Sequence, residues 1–289
     1  MNSIDVVIGC ITNYNFEQIK YWVNSLDRSG FKGLKVMVCY NIDIETIREL
    51  TNRNYKIFFF NLKDGGVEYP KQNFNICVDR FHDMPIFLRS LYSEFEIRYV
   101  ITTDVRDVVF QQNPIYWIER HLSDKQDIIA ASESIRYKDE DWGNNNLRLS
   151  FPEEYASMLD NVIYNAGVIA GRYDAMIKLM TTISHLCKGK PDFIQGGGGP
   201  DQAALNVALH KFNDLKSIVR FTRSVEGWAA QCGTTNDPSK LARYQSKLLD
   251  PNPVMINNSV HTANGIKYAI VHQYDRHPNW KKTIEAKYE

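Results

Sequence analysis

The sequence predicts an α/β fold in which a mostly parallel central sheet is flanked by helices on both faces. The first observation is a series of short apolar runs typical of buried strands, at 5–11, 34–40, 57–62, 99–103 and 127–131. The second is that segments with helical spacing alternate with these runs. Parallel strands require such connections, because the chain must return to the end of the sheet where each strand begins. The third is the lack of an internal repeat, a linker or a composition break, which favours one domain over residues 1–289.

In the first half of the chain, the spacing of apolar residues and the positions of helix-breaking residues predict the helices. Apolar residues recur three or four apart from Phe16 to Leu26, so a helix follows the first strand. Residues 43–50 predict a short helix. A helix is expected at 74–83, then an interruption at Pro85 and a second helix to Tyr92.

The pattern is less regular in the second half. Residues 137–149 are rich in Asp, Asn and Trp, and we expect an exposed, mobile loop that closes over a ligand. The remaining segments predict a small apolar stretch at 162–171, a core helix at 176–186, a helix at 201–210 with Pro200 in its first position, loops with short strands at 226–258 and a late strand at 268–272.

Composition excludes several classes of protein. The 34 basic and 34 acidic side chains balance, so we expect no nucleic-acid partner and no polybasic membrane surface. The five cysteines form no Cys-x-x-Cys pair, which argues against a disulfide framework or a zinc site. No signal peptide and no transmembrane segment are recognisable, so a cytoplasmic location is expected.

Two carboxylates three residues apart, Asp104 and Asp107, follow the strand that ends at Thr103. Carboxylates at the end of a buried strand are costly unless something positive binds them. A divalent metal ion, Mn²⁺ or Mg²⁺, fits this position and leaves coordination sites open for phosphate oxygens. The alternative is a solvated turn in which Asp107 pairs with Arg106 or Arg98.

Five segments in order resemble the metal-dependent, nucleotide-sugar glycosyltransferases of the GT-A fold. The carboxylate pair is similar to the Asp-x-x-Asp variant of that fold's Asp-x-Asp motif, as in the glycosyltransferase domain of the lysyl hydroxylases. The other four segments are residues 130–133, residues 164–171, residues 200–202 and the pair Val271 and His272.

The resemblance implies a single Rossmann-like GT-A domain that moves a sugar from a nucleotide-diphosphate donor, a UDP-sugar, to a hydroxyl of a glycan or another acceptor. The nucleotide and metal part would span about 1–135, and the acceptor side about 136–289. His272 would be the third metal ligand, with His277 as its rival.

The remaining site residues each have a plain structural reading as well. Thr12 and Asn13 lie where the fold holds the base and ribose, or they cap a helix. Arg80 reaches the diphosphate, or it is solvated. Residues 165–167, which are Asn165, Ala166 and Gly167, admit the donor sugar, or they form a tight turn.

Three carboxylates are candidates for the catalytic base, and each again has a structural alternative. Asp201 and Glu133 are the predicted catalytic residues, with Gln202 beside Asp201 in the donor site. Asp201 is otherwise a first-turn acid favoured by the helix dipole, and Glu133 a cap or surface ion pair. Asp141 is the third candidate. Trp142, Trp228 and several tyrosines are candidates for a sugar-stacking platform, or they are packing residues.

Two other functions are alternatives for such a chain. A sugar-nucleotide nucleotidyltransferase needs a basic, Gly-rich loop after the first strand, but residues 9–14 contain neither Lys nor Arg. A catalytically inactive nucleotide-sugar-binding module would keep the fold without turnover, and the intact Asp104, Asp107 and His272 argue against it.

Overall fold

The computed structural model describes residues 3–62, 74–191 and 197–289. Its strands are β1 (Ser3–Thr12), β2 (Leu34–Ile42), β3 (Lys56–Leu62), β4 (Glu96–Thr103), β5 (Val108–Phe110), β6 (Ile128–Arg136), β7 (Val162–Arg172), β8 (Val219–Thr222), β9 (Ala229–Gln231), β10 (Val254–Ile256), β11 (Ser259–His261) and β12 (Ile270–His272).

The helices alternate with the strands in the first half of the chain and cluster in the second. They are α1 (Phe16–Arg28), α2 (Ile44–Asn52), α3 (Ile76–Tyr92), α4 (Pro114–His121), α5 (Asp141–Ser150), α6 (Pro152–Met158), α7 (Tyr173–Cys187), α8 (Asp201–Lys211), α9 (Asn213–Lys216), α10 (Cys232–Thr235), α11 (Pro238–Tyr244) and α12 (Pro278–Tyr288). None of the described helices has the length and apolar character that a bilayer crossing needs.

Seven strands form the central sheet in the order β3-β2-β1-β4-β7-β6-β8. All of them run parallel except β7, which is antiparallel to both of its neighbours. Because β7 runs against β4, its residue Val168 pairs with Thr103 at the carboxyl end of β4. The segment just before Val168 therefore lies beside the carboxylate that follows β4.

A second, three-stranded sheet has the order β5-β12-β9. In it, His272 of β12 is in register with Val108 of β5 on one side and with Gln231 of β9 on the other. The N–H of Gln273 also donates to the carbonyl oxygen of Asp107, at 2.7 Å. This sheet places a late histidine next to a carboxylate that precedes it by more than 160 residues.

The core lies on both faces of the central sheet. Alternate residues of β1 enter different apolar clusters: Val6 and Ile8 pack with α3 and α7, whereas Val7 and Ile11 pack with α1. The predicted α/β fold with a mostly parallel sheet flanked by helices is therefore confirmed.

Two local predictions are wrong. Helix α3 continues through Pro85, because Phe81, Met84, Leu88 and Leu91 are buried on both sides of the proline and hold one helix together. Residues 137–149 are not an exposed loop.

Residues 137–149 form a short 3-10 helix followed by α5. The side chain of Glu140 caps α5 by accepting from the N–H of Gly143, and Tyr137, Asn146 and Leu147 are buried. The segment is therefore part of the packed structure and not an exposed loop, while its closure over a bound ligand stays a prediction.

Candidate active site

Asp104, Asp107 and His272 meet at the carboxyl end of β4. Asp104 directly follows that strand, Asp107 directly precedes β5, and β12 brings His272 alongside. One ligand atom from each of the three residues lies within 4.8 Å of the other two. The end of a parallel strand is where open α/β sheets bind ligands.

His272 presents one free nitrogen to the two carboxylates. Its Nε2 lies 3.3 Å from Asp104 Oδ2 and 3.6 Å from Asp107 Oδ1. This nitrogen is buried and has no hydrogen bond in the described part of the chain. The other nitrogen, Nδ1, lies 2.7 Å from Gln231 Oε1 and donates to it, so in the neutral imidazole Nε2 carries the lone pair that a metal ion would take.

Arginines occupy the outer oxygens of both carboxylates. Asp104 Oδ1 accepts from Arg80, while Asp107 Oδ2 lies 3.4 Å from Arg276 Nη2 and 3.7 Å from Arg106 Nη2. The inner oxygens, Asp104 Oδ2 and Asp107 Oδ1, are the ones that face His272. Each carboxylate is thus oriented by a cation on one side and leaves one oxygen for the centre of the site.

The solvated-turn alternative is right in one detail, since Asp107 does approach Arg106. Asp107 is nevertheless buried, and Arg98 pairs instead with Asp5 and Glu119. The carboxylate pair therefore does not lie on an open turn.

The three groups perturb one another's protonation. Burial raises the pKa of Asp104, but the Arg80 guanidinium and His272 outweigh it and leave that pKa lowered. Burial and the charge of Asp104 raise the pKa of Asp107, against the opposing effect of His272. Burial lowers the pKa of His272, but the two carboxylates outweigh it and raise that pKa overall.

Gly167 is required by the packing of the triad. A Cβ at this position would lie 2.4 Å from His272 Cε1, 2.8 Å from Asp104 Oδ2 and 2.9 Å from Asn165 Oδ1. The N–H of Asp104 donates to the carbonyl oxygen of Gly167, at 2.8 Å. Residues 165–167 are therefore an interior part of β7, and the tight-turn reading of them is wrong.

A hydrogen-bond network surrounds Glu133 beside the triad. Its Oε1 accepts from Asn165 Nδ2 at 2.7 Å and from Gln202 Nε2 at 3.0 Å, and its Oε2 from Thr234 Oγ1 at 3.5 Å. Gln202 Oε1 accepts in turn from the N–H of Ala166, at 3.4 Å. Glu133 is buried within this network and is neither a surface ion pair nor a helix cap.

Asp201 is tied to the same centre through Arg80. The guanidinium of Arg80, which is buried on α3, contacts Asp104 with Nη1, and its Nη2 lies 3.2 Å from Asp201 Oδ2 and 3.3 Å from the carbonyl oxygen of Ala166. Burial raises the pKa of Asp201, although the charge of Arg80 opposes this shift. Arg80 is therefore a buried bridge between two carboxylates, and its solvated reading is wrong.

Two cavities join at the triad. One, of about 390 Å³, extends toward the end of β1, where Thr12 and Tyr14 line it together with Arg106 and Asp107. The other, of about 370 Å³, contains the side chains predicted to contact the donor sugar. Among its lining residues are Arg80, Glu133, Asn165, Ala166, Gly167, Asp201, Gln202 and His272. Asp104 lines both cavities.

Four other candidates lie outside these cavities. The Asn13 side chain is bonded to Asn41, and His277 stacks on Trp280. Asp141 pairs with Arg243, and Trp228 is buried in the core, so it cannot stack on a sugar. Of the two tryptophans predicted for the sugar-stacking platform, only Trp142 lines a cavity.

The sequence did not point to Gln231, Glu140, Thr234 or Arg276, all of which contact or line the site. Three of them lie in segments that lack apolar periodicity or were expected to be loops. Arg276 lies in the Tyr-Asp-Arg-His segment, where the sequence points to His277 alone.

No family model matches the sequence, and neither does any curated protein. Similar folds are found among solved structures. The glycosyltransferase GlyE of Streptococcus pneumoniae TIGR4 has a TM-score of 0.54 and 14% identity, over 94% of this chain and 55% of that one. The apo structure of the bifunctional glycosyltransferase WbbM has a TM-score of 0.55 and 15% identity, over 93% of this chain and 45% of that one.

The chain thus spans about half the length of these two proteins. At such identities the likeness shows the fold. This chain has a mixed α/β fold, with a large and mostly parallel sheet, that is also the fold of glycosyltransferases.

Proposed function

We propose that this chain is a glycosyltransferase that moves a sugar from a nucleotide-diphosphate donor, a UDP-sugar, to a hydroxyl of an acceptor. The single observation that supports it best is the triad of Asp104, Asp107 and His272, which lies at the carboxyl end of β4 between two cavities. The fold shared with glycosyltransferases supports the same reading.

The residues present fit a divalent cation. Asp104 Oδ2, Asp107 Oδ1 and His272 Nε2 converge, and the buried Nε2 lacks any other partner in the described part of the chain. Carboxylate oxygens suit Mg²⁺ and Mn²⁺, and the imidazole favours Mn²⁺ of the two. When bound, such a cation supplies charge that stabilises a leaving diphosphate.

The chain's own residues orient the reactants around that position. We propose that Thr12 and the adjoining cavity hold the nucleoside, and that Arg106 and Arg276 neutralise phosphate oxygens. On the other side, Asn165, Asp201 and Gln202 would contact the sugar's hydroxyls, and the absence of a side chain at Gly167 leaves the triad undistorted.

Glu133 and Asp201 are the proposed catalytic carboxylates, and their surroundings differ. Asp201 is held by the Arg80 guanidinium, whereas Glu133 accepts hydrogen bonds from uncharged groups among the described residues. Glu133 Oε2 has one hydrogen-bond partner among the described residues, Thr234 Oγ1 at 3.5 Å, so this oxygen remains available to an acceptor hydroxyl. We therefore favour Glu133 as the base for the acceptor hydroxyl and Asp201 as a sugar-binding group.

The test is release of UDP from UDP-glucose, UDP-galactose and UDP-N-acetylglucosamine, with Mn²⁺ and with a chelator. We expect release from at least one donor with Mn²⁺, and its loss on chelation and in Asp107→Asn. Asp160→Asn, at an exposed carboxylate, is the matched control.

Two outcomes would contradict the proposal. Binding of UDP with Mn²⁺ but no turnover of any donor would indicate a binding module. Release of pyrophosphate from a nucleoside triphosphate and a sugar 1-phosphate would instead indicate a nucleotidyltransferase.

A further inference from the structure

The 370 Å³ cavity extends beyond the residues assigned to the donor sugar. One end of it is lined by Glu140, Trp142 and Lys240, which come from the cap of α5, from α5 itself and from α11. Trp142 packs on Gly198, which lines both cavities. None of the three lines the cavity on the nucleoside side. If the diphosphate lies at the triad, this end is where the second substrate must enter.

Trp142 is the one aromatic side chain, apart from the His272 imidazole, among the described residues that line this cavity. Its indole N–H donates to the carbonyl oxygen of Gly197, at 3.2 Å. The ring also lies against Gly198, whose φ is +78° and where a Cβ would come within 3.3 Å of Trp142 Cζ2. The indole is therefore held in place with its nitrogen already used, and it presents a ring surface rather than a hydrogen-bond donor.

The polar groups at this end are a buried carboxylate and a lysine. Glu140 accepts from the N–H of Gly143 at 2.5 Å, and the charges of both Glu133 and Lys240 act on it. The Lys240 ammonium makes no ion pair within the described residues and is half-buried. The end thus offers hydrogen-bond acceptors and one available donor around an aromatic ring.

This combination selects among acceptor classes. The C–H groups on one face of a pyranose ring carry partial positive charge and pack on the negative face of an indole, while hydroxyls bond to carboxylates and ammonium groups. An acceptor with its own carboxylate or phosphate would meet the two negative charges of Glu133 and Glu140, which the single ammonium of Lys240 at this end offsets only in part. A long acyl chain would find mostly polar walls.

Resting on the proposed function, we infer that the acceptor is a neutral saccharide, with its ring on Trp142 and its hydroxyls on Glu140 and Lys240. Trp142 then determines acceptor specificity and has little part in holding the donor. The α5 segment, which from its sequence alone was expected to be a loop, would be the structural element that recognises the acceptor.

The experiment uses the full chain, Mn²⁺ and whichever UDP-sugar gives UDP release. Transfer is measured to a glycan array that includes neutral and uronic-acid saccharides, and to serine peptides and long-chain alcohols. We expect transfer to neutral glycans. Trp142→Ala should raise the KM for the glycan by about tenfold or more, with the KM for the donor changed by less than about twofold.

Two further variants distinguish the loss of the aromatic ring surface from a general effect of the substitution on folding. Trp142→Phe keeps a ring without the N–H and should recover most of the affinity for the glycan. Tyr116→Ala removes an exposed aromatic side chain on α4 and should change neither KM.

Transfer only to peptides, alcohols or acidic glycans, transfer to no glycan at all despite UDP release, or an equal rise of both KM values in Trp142→Ala would each overturn the inference. Absence of UDP release from every donor is a different result. It would remove the proposed function, and this inference with it.

Discussion

Gln231 Oε1 lies 2.7 Å from His272 Nδ1, and the two residues face each other in register on β9 and β12. A hydrogen bond to one ring nitrogen selects the tautomer of the neutral ring, so once the imidazole has lost its second proton, Gln231 leaves Nε2 with the lone pair, directed at Asp104 and Asp107. The Gln231 amide therefore positions the His272 imidazole as a metal ligand, which Asp104 and Asp107 alone would not do.

Replacing Gln231 by leucine should therefore weaken Mn²⁺ binding by about tenfold or more, because the imidazole loses its fixed tautomer and orientation. Gln231→Glu retains an acceptor and should stay close to the wild type. Gln112→Leu, which breaks a bond to the carbonyl oxygen of Lys267 elsewhere, is the control. Isothermal titration with Mn²⁺ measures all three, and wild-type affinity in Gln231→Leu would show that the hydrogen bond is incidental.

Gly167→Ala should abolish Mn²⁺-dependent binding of UDP, because the new methyl group collides with His272 and Asp104. Gly171→Ala in the same strand is the matched control. Its Cβ would lie 2.2 Å from the carbonyl oxygen of Asp127, away from the triad, so it should lower the melting temperature without removing binding by the folded protein. Unchanged binding in Gly167→Ala would mean that the triad is not the metal site.

The pH dependence of Mn²⁺ binding follows from the raised pKa of His272 in the metal-free chain. The ion must displace the proton on the imidazole, so the apparent affinity should fall by about tenfold for each pH unit below that raised pKa. The stability of the metal-free chain depends on pH in the opposite direction. The stabilisation from the charged imidazole is fully present below about pH 6.5 and is lost as the pH rises through the pKa of His272 in the folded state. Mn²⁺ titrations across the range from about pH 5.5 to 8.5 test this, and a flat profile would exclude His272 as a ligand.

Arg80→Met should lower the free energy of unfolding by about 3 kcal/mol, because it leaves the carboxylates of Asp104 and Asp201 without their shared cation. Adding Asp201→Asn removes one of those charges and should restore part of the loss. Arg98→Met is the control, since Arg98 also bridges two carboxylates but is more exposed, and it should cost less than about 1 kcal/mol. Equal losses in denaturant titrations of both single variants would show that the buried bridge has no special role.

The sequence predicts the framework of this fold well because its strands are continuous apolar runs. The first strand, at 5–11, and the carboxylates after Thr103 follow directly from that pattern. Helix α5 does not, since its Asp- and Asn-rich sequence has weak helical preference, and the helix is held by the Glu140 cap and by burial of Leu147.

The sequence predicts those site residues whose side-chain chemistry alone indicates a role. It does not predict residues whose role depends on which distant side chain they contact in the fold. Asp104, Asp107 and His272 could be named as a set, but the sequence does not reveal that Gln231 lies in register with His272. The bridge that Arg80 makes between Asp104 and Asp201 likewise joins residues from three distant segments.

The most direct test of the central claim is calorimetric titration of UDP into the wild-type chain and into Asp107→Asn, each with Mn²⁺ and with a chelator. The account predicts that Mn²⁺ tightens UDP binding to the wild type by about tenfold or more, and that Asp107→Asn loses this gain while its melting temperature without ligand changes little. Equal UDP affinity with and without Mn²⁺, or an undiminished Mn²⁺ effect in Asp107→Asn, would contradict it.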